Sequence, residues 1–376
     1  MTLRVGKLVY GIIKLLPCLL AVLLASSCSS DVNSDEQKGN KTLVTLTIAA
    51  SGNAATASRA VSGNSSTITR AGASVSDPTN KDYYIKDLTV LIFDESGDVI
   101  GSTTKQASDL SPSSDGKITI QVLTRAAKKC TVYAIANALA LNDGATPPFA
   151  GVATLSALQS KVKTYKDADD INKESCLLMM GKTVDKSFDT TNGSAAAISL
   201  QRLASRIDFN FTVNNDKTTG FPIVVDSYQL CNVPTSTFYQ QSDFNSPLMP
   251  SGTLYKSQGL ITPSTAGTPK PYTCYVYTNI DTDTSNKTYL LINAHSAVTV
   301  GSTTYKIWNS VFHVNMLDGV KPNMHYTVNI TINGGATGDT EQGGCGAVAT
   351  YEAYPYFSGS ILNPWGPNEN KDLDLQ

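Results

Sequence analysis

The stretch Thr42-Leu43-Val44-Thr45-Leu46-Thr47-Ile48-Ala49-Ala50 carries the pattern from which the fold is predicted. Val44, Leu46 and Ile48 alternate with threonines, so apolar side chains point to one face of an extended chain and polar ones to the other. This alternation predicts a half-buried β-strand over residues 42–50. The same pattern returns throughout residues 326–333, which read YTVNITIN.

Further strands are predicted along the chain, with turn residues between them. They cover residues 83–94, 117–123, 129–137, 207–213, 223–230, 272–278, 288–293 and 305–314. Leucines at 155 and 158, with Val162 and Tyr165, fall at helical spacing and predict a short helix over 154–165. Many short strands separated by turns favour an all-β fold of two antiparallel β-sandwich domains in tandem, with one or two short helices.

Length and composition bound the organisation of the chain. Its 376 residues exceed what one small core needs and indicate two domains, which we place at 41–199 and 200–346. A glycine-rich spacer, 334–346, precedes an extended C-terminal segment, 347–376. The net charge of -2 and the absence of a basic cluster give no indication of a nucleic acid partner.

The N-terminus has the layout of a bacterial lipoprotein signal. Basic residues are followed by an apolar run and then by Ala25-Ser26-Ser27-Cys28. This order predicts a signal peptide over 1–27, lipidation of Cys28 and a polar tether over 28–40. Lipidation would attach two acyl chains to the Cys28 thiol, as a diacylglycerol, and a third to the new N-terminal amine. Three acyl chains would hold the protein firmly in a membrane, because each buried methylene contributes roughly 0.8 kcal/mol. An ordinary signal peptide with an incidental cysteine is the alternative.

A long polar loop follows the first strand. Residues 51–80 consist mostly of Ser, Ala, Thr, Gly and Asn, which is unusual between two strands of a compact domain. The loop contains two arginines, each followed by alanine, in Arg59-Ala60 and Arg70-Ala71. It is therefore predicted to be a mobile or functional segment.

Signs of catalysis or metal binding are weak. No HExxH, GxSxG or GxGxxG motif is present, and Gly181-Lys182-Thr183 lacks the first glycine of a phosphate-binding loop. Asp281 and Asp283 lack the other ligands of a calcium loop and are interpreted as a solvated turn. The cysteines form no CxxC pair, so most are interpreted as small buried residues. The sequence predicts neither an enzyme nor a cofactor.

Four segments, taken in order, resemble the fimbrillins of Bacteroidetes, the major and minor fimbrial subunits. Residues 131–137 (TVYAIAN) resemble the family's hydrophobic strand ending in Asn, and 202–207 (RLASRI) the strand that opens its second domain. Residues 321–326 (KPNMHY) resemble a late segment of the family, with Lys-Pro in place of its Arg. Pro364-Trp365 resembles the terminal strands of minor-type subunits. The resemblance implies transthyretin-like or Greek-key β-sandwich domains.

The resemblance also implies an assembly cycle. The subunit would reach the outer membrane as a lipoprotein, and an arginine-specific protease would cut the loop, first choice Arg70-Ala71 and second choice Arg59-Ala60. The first strand, with Val44, Leu46 and Ile48, would then leave a groove that a neighbouring subunit fills by donor-strand exchange. The C-terminal segment is the expected donor. Its candidate groove-filling side chains are Val348, Tyr351, Tyr354, Phe357, Ile361, Leu362 and Trp365.

These features predict a stalk or tip subunit of a cell-surface fimbria that supports adhesion. Its expected partners are other fimbrial subunits, including anchor and tip proteins, the arginine-specific protease and the outer membrane. A host or bacterial surface receptor is a further candidate partner. Two alternatives stay open: a basal anchor subunit that accepts a strand but donates none, and a surface glycan-binding lipoprotein that does not polymerise.

Overall fold

The structure is a computed structural model. It describes residues 40–50, 75–113, 116–190, 194–215, 222–263, 267–316, 319–334 and 346–355. We refer to residues 40–202 as the first half and to residues 203–355 as the second half. The predicted signal peptide and tether lie outside the described residues.

The described residues of the first half form eight strands and two short α-helices. The strands are β1 (Lys41–Ala50), β2 (Asp87–Phe93), β3 (Val99–Gln106), β4 (Lys117–Arg125), β5 (Ala127–Ala136), β6 (Val162–Thr164), β7 (Met179–Phe188) and β8 (Ala195–Arg202). The helices are α1 (Leu155–Gln159) and α2 (Asp170–Lys173). Neither helix is long and apolar enough to cross a membrane, nor is any other helix in the described ranges.

The second half consists of strands joined by turns. They are β9 (Ala204–Asn215), β10 (Ile223–Cys231), β11 (Val233–Pro234), β12 (Ser236–Phe238), β13 (Tyr255–Lys256), β14 (Tyr272–Tyr277), β15 (Tyr289–Val300), β16 (Thr303–Asn315), β17 (Met324–Gly334) and β18 (Gly346–Pro355). The alternating segments 42–50, 207–213 and 326–333 all form strands, as predicted.

Seven strands of the first half form a closed sheet in the order β1-β4-β3-β2-β5-β7-β8. This differs from the antiparallel sandwich expected there, because β1 closes the sheet by running parallel to β8. A parallel neighbour is accessible to β1 because no tight turn has to join the two strands. The closed sheet surrounds an apolar core to which β4 contributes alternate residues, Ile118, Ile120 and Val122.

The second half forms two sheets over one core. One has the order β10-β15-β16 and the other β14-β9-β17-β18. Phe209 on β9, Leu230 on β10, Ile292 on β15 and Val328 on β17 belong to the same buried cluster, so the two sheets pack face to face. Strands β9 and β17 run parallel, which again departs from the purely antiparallel prediction.

The two halves are joined by shared structure. Strand β6 of the first half pairs with β12 of the second, and the rings of Tyr165 and Tyr277 stack with centroids 5.8 Å apart. The predicted helix over 154–165 is therefore partly wrong. It ends at Gln159, and Val162 lies in β6 because its backbone pairs with Phe238 of the other half.

The C-terminal end of the predicted loop 51–80 packs against the first half, and the irregular chain continues to the start of β2 at Asp87. Residues 75–80 form turns, and Val75 is 2% exposed. The N–H of Ile85 donates to the carbonyl of Val75 over 2.9 Å, which ties this end of the loop to the start of β2. Residues 51–74 lie outside the described ranges.

Candidate assembly site

Strand β1 occupies a slot between β4 and β8. Its Cα register matches nine residues of β4 in antiparallel order, from Lys41 opposite Arg125 to Ala49 opposite Lys117. On the other side it matches six residues of β8 in parallel order, from Thr45 opposite Ala195 onward. We call this position, bounded by β4 and β8, the β1 slot.

The three side chains predicted to face the groove are fully buried. Val44, Leu46 and Ile48 are each 0% exposed and belong to the core of the closed sheet. They share that core with Ile120 of β4 and Ile198 of β8. The alternation in the sequence thus correctly identified which face of β1 is buried.

Hydrogen bonds outside the strand ladder also hold β1. The backbone N–H of Thr45 donates to the carbonyl of Ser194 over 2.9 Å. The hydroxyl of Thr42 donates to the carbonyl of Asp189 over 2.6 Å. These bonds connect the N-terminal part of β1 to residues that precede β8.

The β8 wall of the slot depends on a close backbone approach. A Cβ at Gly181 on β7 would lie 2.3 Å from the carbonyl oxygen of Ser199 on β8. No real Cβ tolerates such a contact, so glycine is required if β7 and β8 are to lie this close. Gly181 belongs to the Gly181-Lys182-Thr183 sequence, which lacks the first glycine of a phosphate-binding loop and lies within strand β7.

The first part of the predicted donor segment pairs with its own subunit. Strand β18 runs antiparallel to β17, with Val348 opposite Thr331, Tyr351 opposite Val328 and Tyr354 opposite His325. The other sites predicted from the sequence lie outside the described residues. They are Cys28, Arg59, Ala60, Arg70, Ala71, Phe357, Ile361, Leu362 and Trp365.

Asn137 directly follows β5 and lies in the left-handed region, with φ 67°. Its side-chain oxygen accepts from the N–H of Lys86 over 2.7 Å. Its amide nitrogen donates to the carbonyls of Tyr84 (2.8 Å) and Leu177 (2.6 Å). The asparagine of the TVYAIAN segment thus fastens three stretches of chain together, a role that its position in the sequence did not reveal.

Asn323, in the KPNMHY segment, has a comparable role at the junction of the halves. It has φ 59°, and its side-chain oxygen accepts from the N–H of Arg202 over 3.1 Å. Its own N–H donates to the carbonyl of Ala204 over 3.1 Å. In the same segment the hydroxyl of Tyr326 accepts from the N–H of Lys321 over 2.9 Å. Two of the four segments that carried the family resemblance, TVYAIAN and KPNMHY, therefore have identifiable structural roles.

A polar network that the sequence did not predict spans β9, β14 and β17. One oxygen of Asp208 contacts Nε2 of His325 at 2.6 Å, and the other accepts from Arg206 (2.9 Å) and Thr273 (2.7 Å). Partial burial would raise the pKa of Asp208, but donation from His325, Arg206 and Thr273 outweighs it and holds that pKa below its ordinary value. Asp208 therefore stays ionised and stabilises the sheet.

We expect Asp208→Asn to lower the free energy of unfolding by about 1–3 kcal/mol at neutral pH, because charge-assisted hydrogen bonds are lost. Since the folded pKa lies below the unfolded one, this stabilisation is present above about pH 4 and fades as the pH falls further. Urea denaturation at several pH values should show a shallower acid dependence for the variant. Asp185→Asn, at an exposed position on β7, is the matched control. Equal acid dependence in the two variants would contradict this assignment.

The residues considered for other chemistry have structural partners. Asp281 accepts from the hydroxyl of Tyr255 over 2.6 Å and Asp283 caps its own turn through Ser285, as expected for a solvated turn. The described residues contain no group of acidic, His and Cys side chains that could hold a metal ion. Four cysteines at 130, 176, 231 and 274 are free and buried, and burial raises the pKa of the Cys176 thiol to about 12.

Known proteins resemble this chain in sequence and in fold. Residues 44–225 match the family model of the major fimbrial subunit protein (FimA), a range that starts within β1 and ends within β10. No curated protein matches the chain.

Among solved structures, a candidate cell adhesion protein of Parabacteroides distasonis superposes with a TM-score of 0.57 at 14% identity, over 84% of this chain and 99% of that one. A candidate cell adhesion protein of Bacteroides eggerthii gives 0.52 at 19% identity, over 85% and 97%. A fimbrilin of Porphyromonas gingivalis gives 0.49 at 15% identity, over 85% and 99%. At 14% and 19% identity, the similarity to the first two structures indicates a shared fold.

The family match includes the strand in the β1 slot, both walls of the slot and the TVYAIAN segment with its bridging asparagine. The resemblance stated from the sequence is thereby confirmed. Residues 44–225 are therefore similar, in sequence, to the major fimbrial subunit proteins (FimA).

Proposed function

We propose that this fimbrial subunit is exported as a lipoprotein through Cys28, cut after Arg70 or Arg59, and polymerised by donor-strand exchange into the β1 slot. The observation that carries the proposal is the position of β1. It is an integral strand of the closed sheet, and its link to β2 passes through the segment that contains both arginines. A cut there would separate β1 from the rest of the chain covalently while leaving the sheet hydrogen-bonded.

Loss of β1 would create a site that favours strand addition. Nine register positions of β4 and six of β8 would lose their neighbour. Removal of Val44, Leu46 and Ile48 would leave an apolar groove in the core. Burial of three such side chains contributes about 5–9 kcal/mol of transfer free energy, which would be lost with the strand. An incoming strand recovers both the backbone bonds and the apolar burial, so it binds tightly and specifically.

The C-terminal segment is the donor in this proposal. Its aromatic and aliphatic residues, from Val348 to Trp365, suit a groove lined by Ile120 and Ile198. Residues 346–355 are paired with β17 in the free subunit. Donation therefore uses either residues beyond Pro355 or all of the segment after β18 has separated from β17.

One observation favours the basal anchor or a non-polymerising surface lipoprotein as the second candidate. The pairing of β18 with β17 gives part of the segment an ordinary role as an edge strand of its own sheet. In that case β1 stays in its slot, and Cys28 keeps the protein at the outer membrane.

The N-terminus of the native protein distinguishes the two candidates. We would recover a high-molecular-mass fraction sheared from the cell surface and determine the N-terminus of the chain by mass spectrometry. Polymers that start at Ala71 or Ala60 support cleavage and exchange. A monomer-sized species that starts at acylated Cys28 contradicts them and supports the anchor or the lipid-tethered binding protein.

Deletion of residues 347–376 should leave a folded monomer that cannot polymerise. A second deletion, of residues 356–376, keeps β18 and serves as the matched control for the integrity of the β17–β18 sheet. Thermal denaturation checks folding, and size-exclusion chromatography with electron microscopy checks assembly. Loss of assembly in both variants places the donor beyond Pro355. Polymers of normal length from the longer deletion would refute the donor assignment.

A further inference from the structure

Strand β16 is a long edge strand of the second half. It covers 13 residues and lies at the end of the sheet β10-β15-β16. Among the described residues, β15 is the single strand that pairs with it. Its other side therefore presents a row of backbone N–H and C=O groups, which is the template for strand addition.

Two other edges in the same half are covered, in contrast to that of β16. At the edge of β10, Tyr228 and Ile261 exchange two backbone hydrogen bonds of 2.9 Å each. At the edge of β14, the N–H of Tyr275 donates to the side chain of Asn172 over 2.7 Å. Among the described residues, no loop makes a backbone hydrogen bond or an isolated bridge to β16.

The sequence of β16 also lacks the features that usually protect an edge. The strand TTYKIWNSVFHVN has one charged residue, Lys306, and no proline. Val311 is 53% exposed, while Phe312 and Val314 on the opposite face are buried. Exposed edges normally carry several charges or a proline that discourage pairing.

The β15–β16 hairpin extends beyond the rest of its sheet. The register with β10 ends at Ser296, whereas β15 and β16 stay paired to Val300 opposite Thr303. Gly301, with φ 67°, allows the tight turn between them. The hairpin thus projects roughly 13 Å past β10, at about 3.3 Å per residue.

We propose that the β16 edge is a lateral interface at which a second copy of this chain adds its own β16 in antiparallel orientation. The two three-stranded sheets would become one continuous six-stranded sheet around a two-fold axis. This contact is independent of the β1 slot, so it would link subunits of neighbouring filaments side by side. It would also form between uncut subunits.

A second copy suits this edge because the strand is compatible with itself. A two-fold axis at Val311 places that residue beside Val311 of the second copy and Asn309 beside His313 of the second copy. Apolar and polar neighbours are then matched, and cross-strand pairs of this kind stabilise antiparallel sheets. In this register residues 307–315 of the two copies pair with each other. Lys306 lies outside that stretch, so no two lysines face each other.

The test uses the secreted chain with Arg59→Ala and Arg70→Ala, so that β1 stays in its slot and donor-strand exchange is blocked. Sedimentation velocity across a micromolar concentration series should show a reversible monomer–dimer equilibrium. Ser310→Pro and Val311→Pro are compared, because neighbouring N–H groups of a strand point to opposite sides. One of them breaks the pairing with β15 and destabilises the fold, while the other removes only an outward N–H.

The proline variant with native thermal stability should weaken dimerisation roughly tenfold, because each copy loses one bond across the interface. Val311→Lys should weaken it to a similar extent, since it places two like charges beside each other. Val300→Lys, at the exposed tip of the hairpin, is the matched control and should leave the dimer unchanged. A chain that stays monomeric throughout, or a folded proline variant that dimerises normally, would overturn the proposal while leaving donor-strand exchange untouched.

Discussion

A chain that begins at Ala71, and therefore lacks β1, should unfold with a free energy about 5–9 kcal/mol below that of a chain that begins at Lys41. The difference comes from Val44, Leu46 and Ile48, each of which is 0% exposed in the closed sheet. Because domains are stable by only about 5–15 kcal/mol, the shortened chain should be barely folded on its own. Thermal denaturation of the two chains measures this effect.

A peptide covering residues 41–50, added in trans, should restore much of the lost stability by refilling the β1 slot. The same peptide with Leu46→Asp is the control, because a carboxylate buried opposite Ile120 has no partner in the apolar core. A second peptide covering residues 346–376 tests whether the C-terminal segment fits the same slot. If both chains unfold alike, β1 contributes little to the sheet, and the proposed assembly site fails with it.

Replacement of Asn137 by alanine should lower the free energy of unfolding by about 3–6 kcal/mol. The side chain makes hydrogen bonds to Lys86, Tyr84 and Leu177, and its loss leaves their backbone groups buried without those partners. Alanine also strains the backbone, because Asn137 has φ 67° and alanine tolerates that region less well. Guanidinium denaturation gives the value.

Glycine at position 137 separates the two causes. Asn137→Gly loses the same hydrogen bonds but accepts positive φ, so it should be about 1 kcal/mol more stable than Asn137→Ala. If both variants unfold within about 1 kcal/mol of the native chain, the bridge is not a main support of the first half. The result bears on the slot, because Leu177 leads directly into β7, which packs against β8.

The two halves share a junction that would transmit load along a fimbria. Strands β6 and β12 pair across it, and Asn323 hydrogen-bonds the backbone on both sides of Leu203, where β8 passes into β9. Strand β8 is one wall of the β1 slot and β9 lies at the centre of the second-half sheet. A strand held in the slot pairs with β8, and the chain of β8 continues into β9. Strand β9 in turn pairs with β17, which pairs with β18.

Strand prediction succeeded where a strand has one buried and one exposed face. Strands β1, β4 and β17 show strict alternation because each lies between a core and a polar surface. Strand β3 was missed because all of its side chains are partly or fully exposed, so VIGSTTKQ shows no apolar period. The helix predicted over 154–165 was too long because the spacing of apolar residues carries no information about the pairing of β6 with β12.

The sequence by itself determined that the alternating segments of β1, β4 and β17 form strands, which face of β1 is buried, and the resemblance to fimbrial subunit proteins. These properties are local, since they depend on the alternation of side chains and on short runs of residues. The tertiary structure alone decided that β1 closes a seven-stranded sheet in parallel with β8, that β18 pairs with β17, and that Asp208 joins His325 and Arg206. Those outcomes depend on contacts between segments that are far apart in the sequence, and the free energy of such contacts cannot be inferred from a short run of residues.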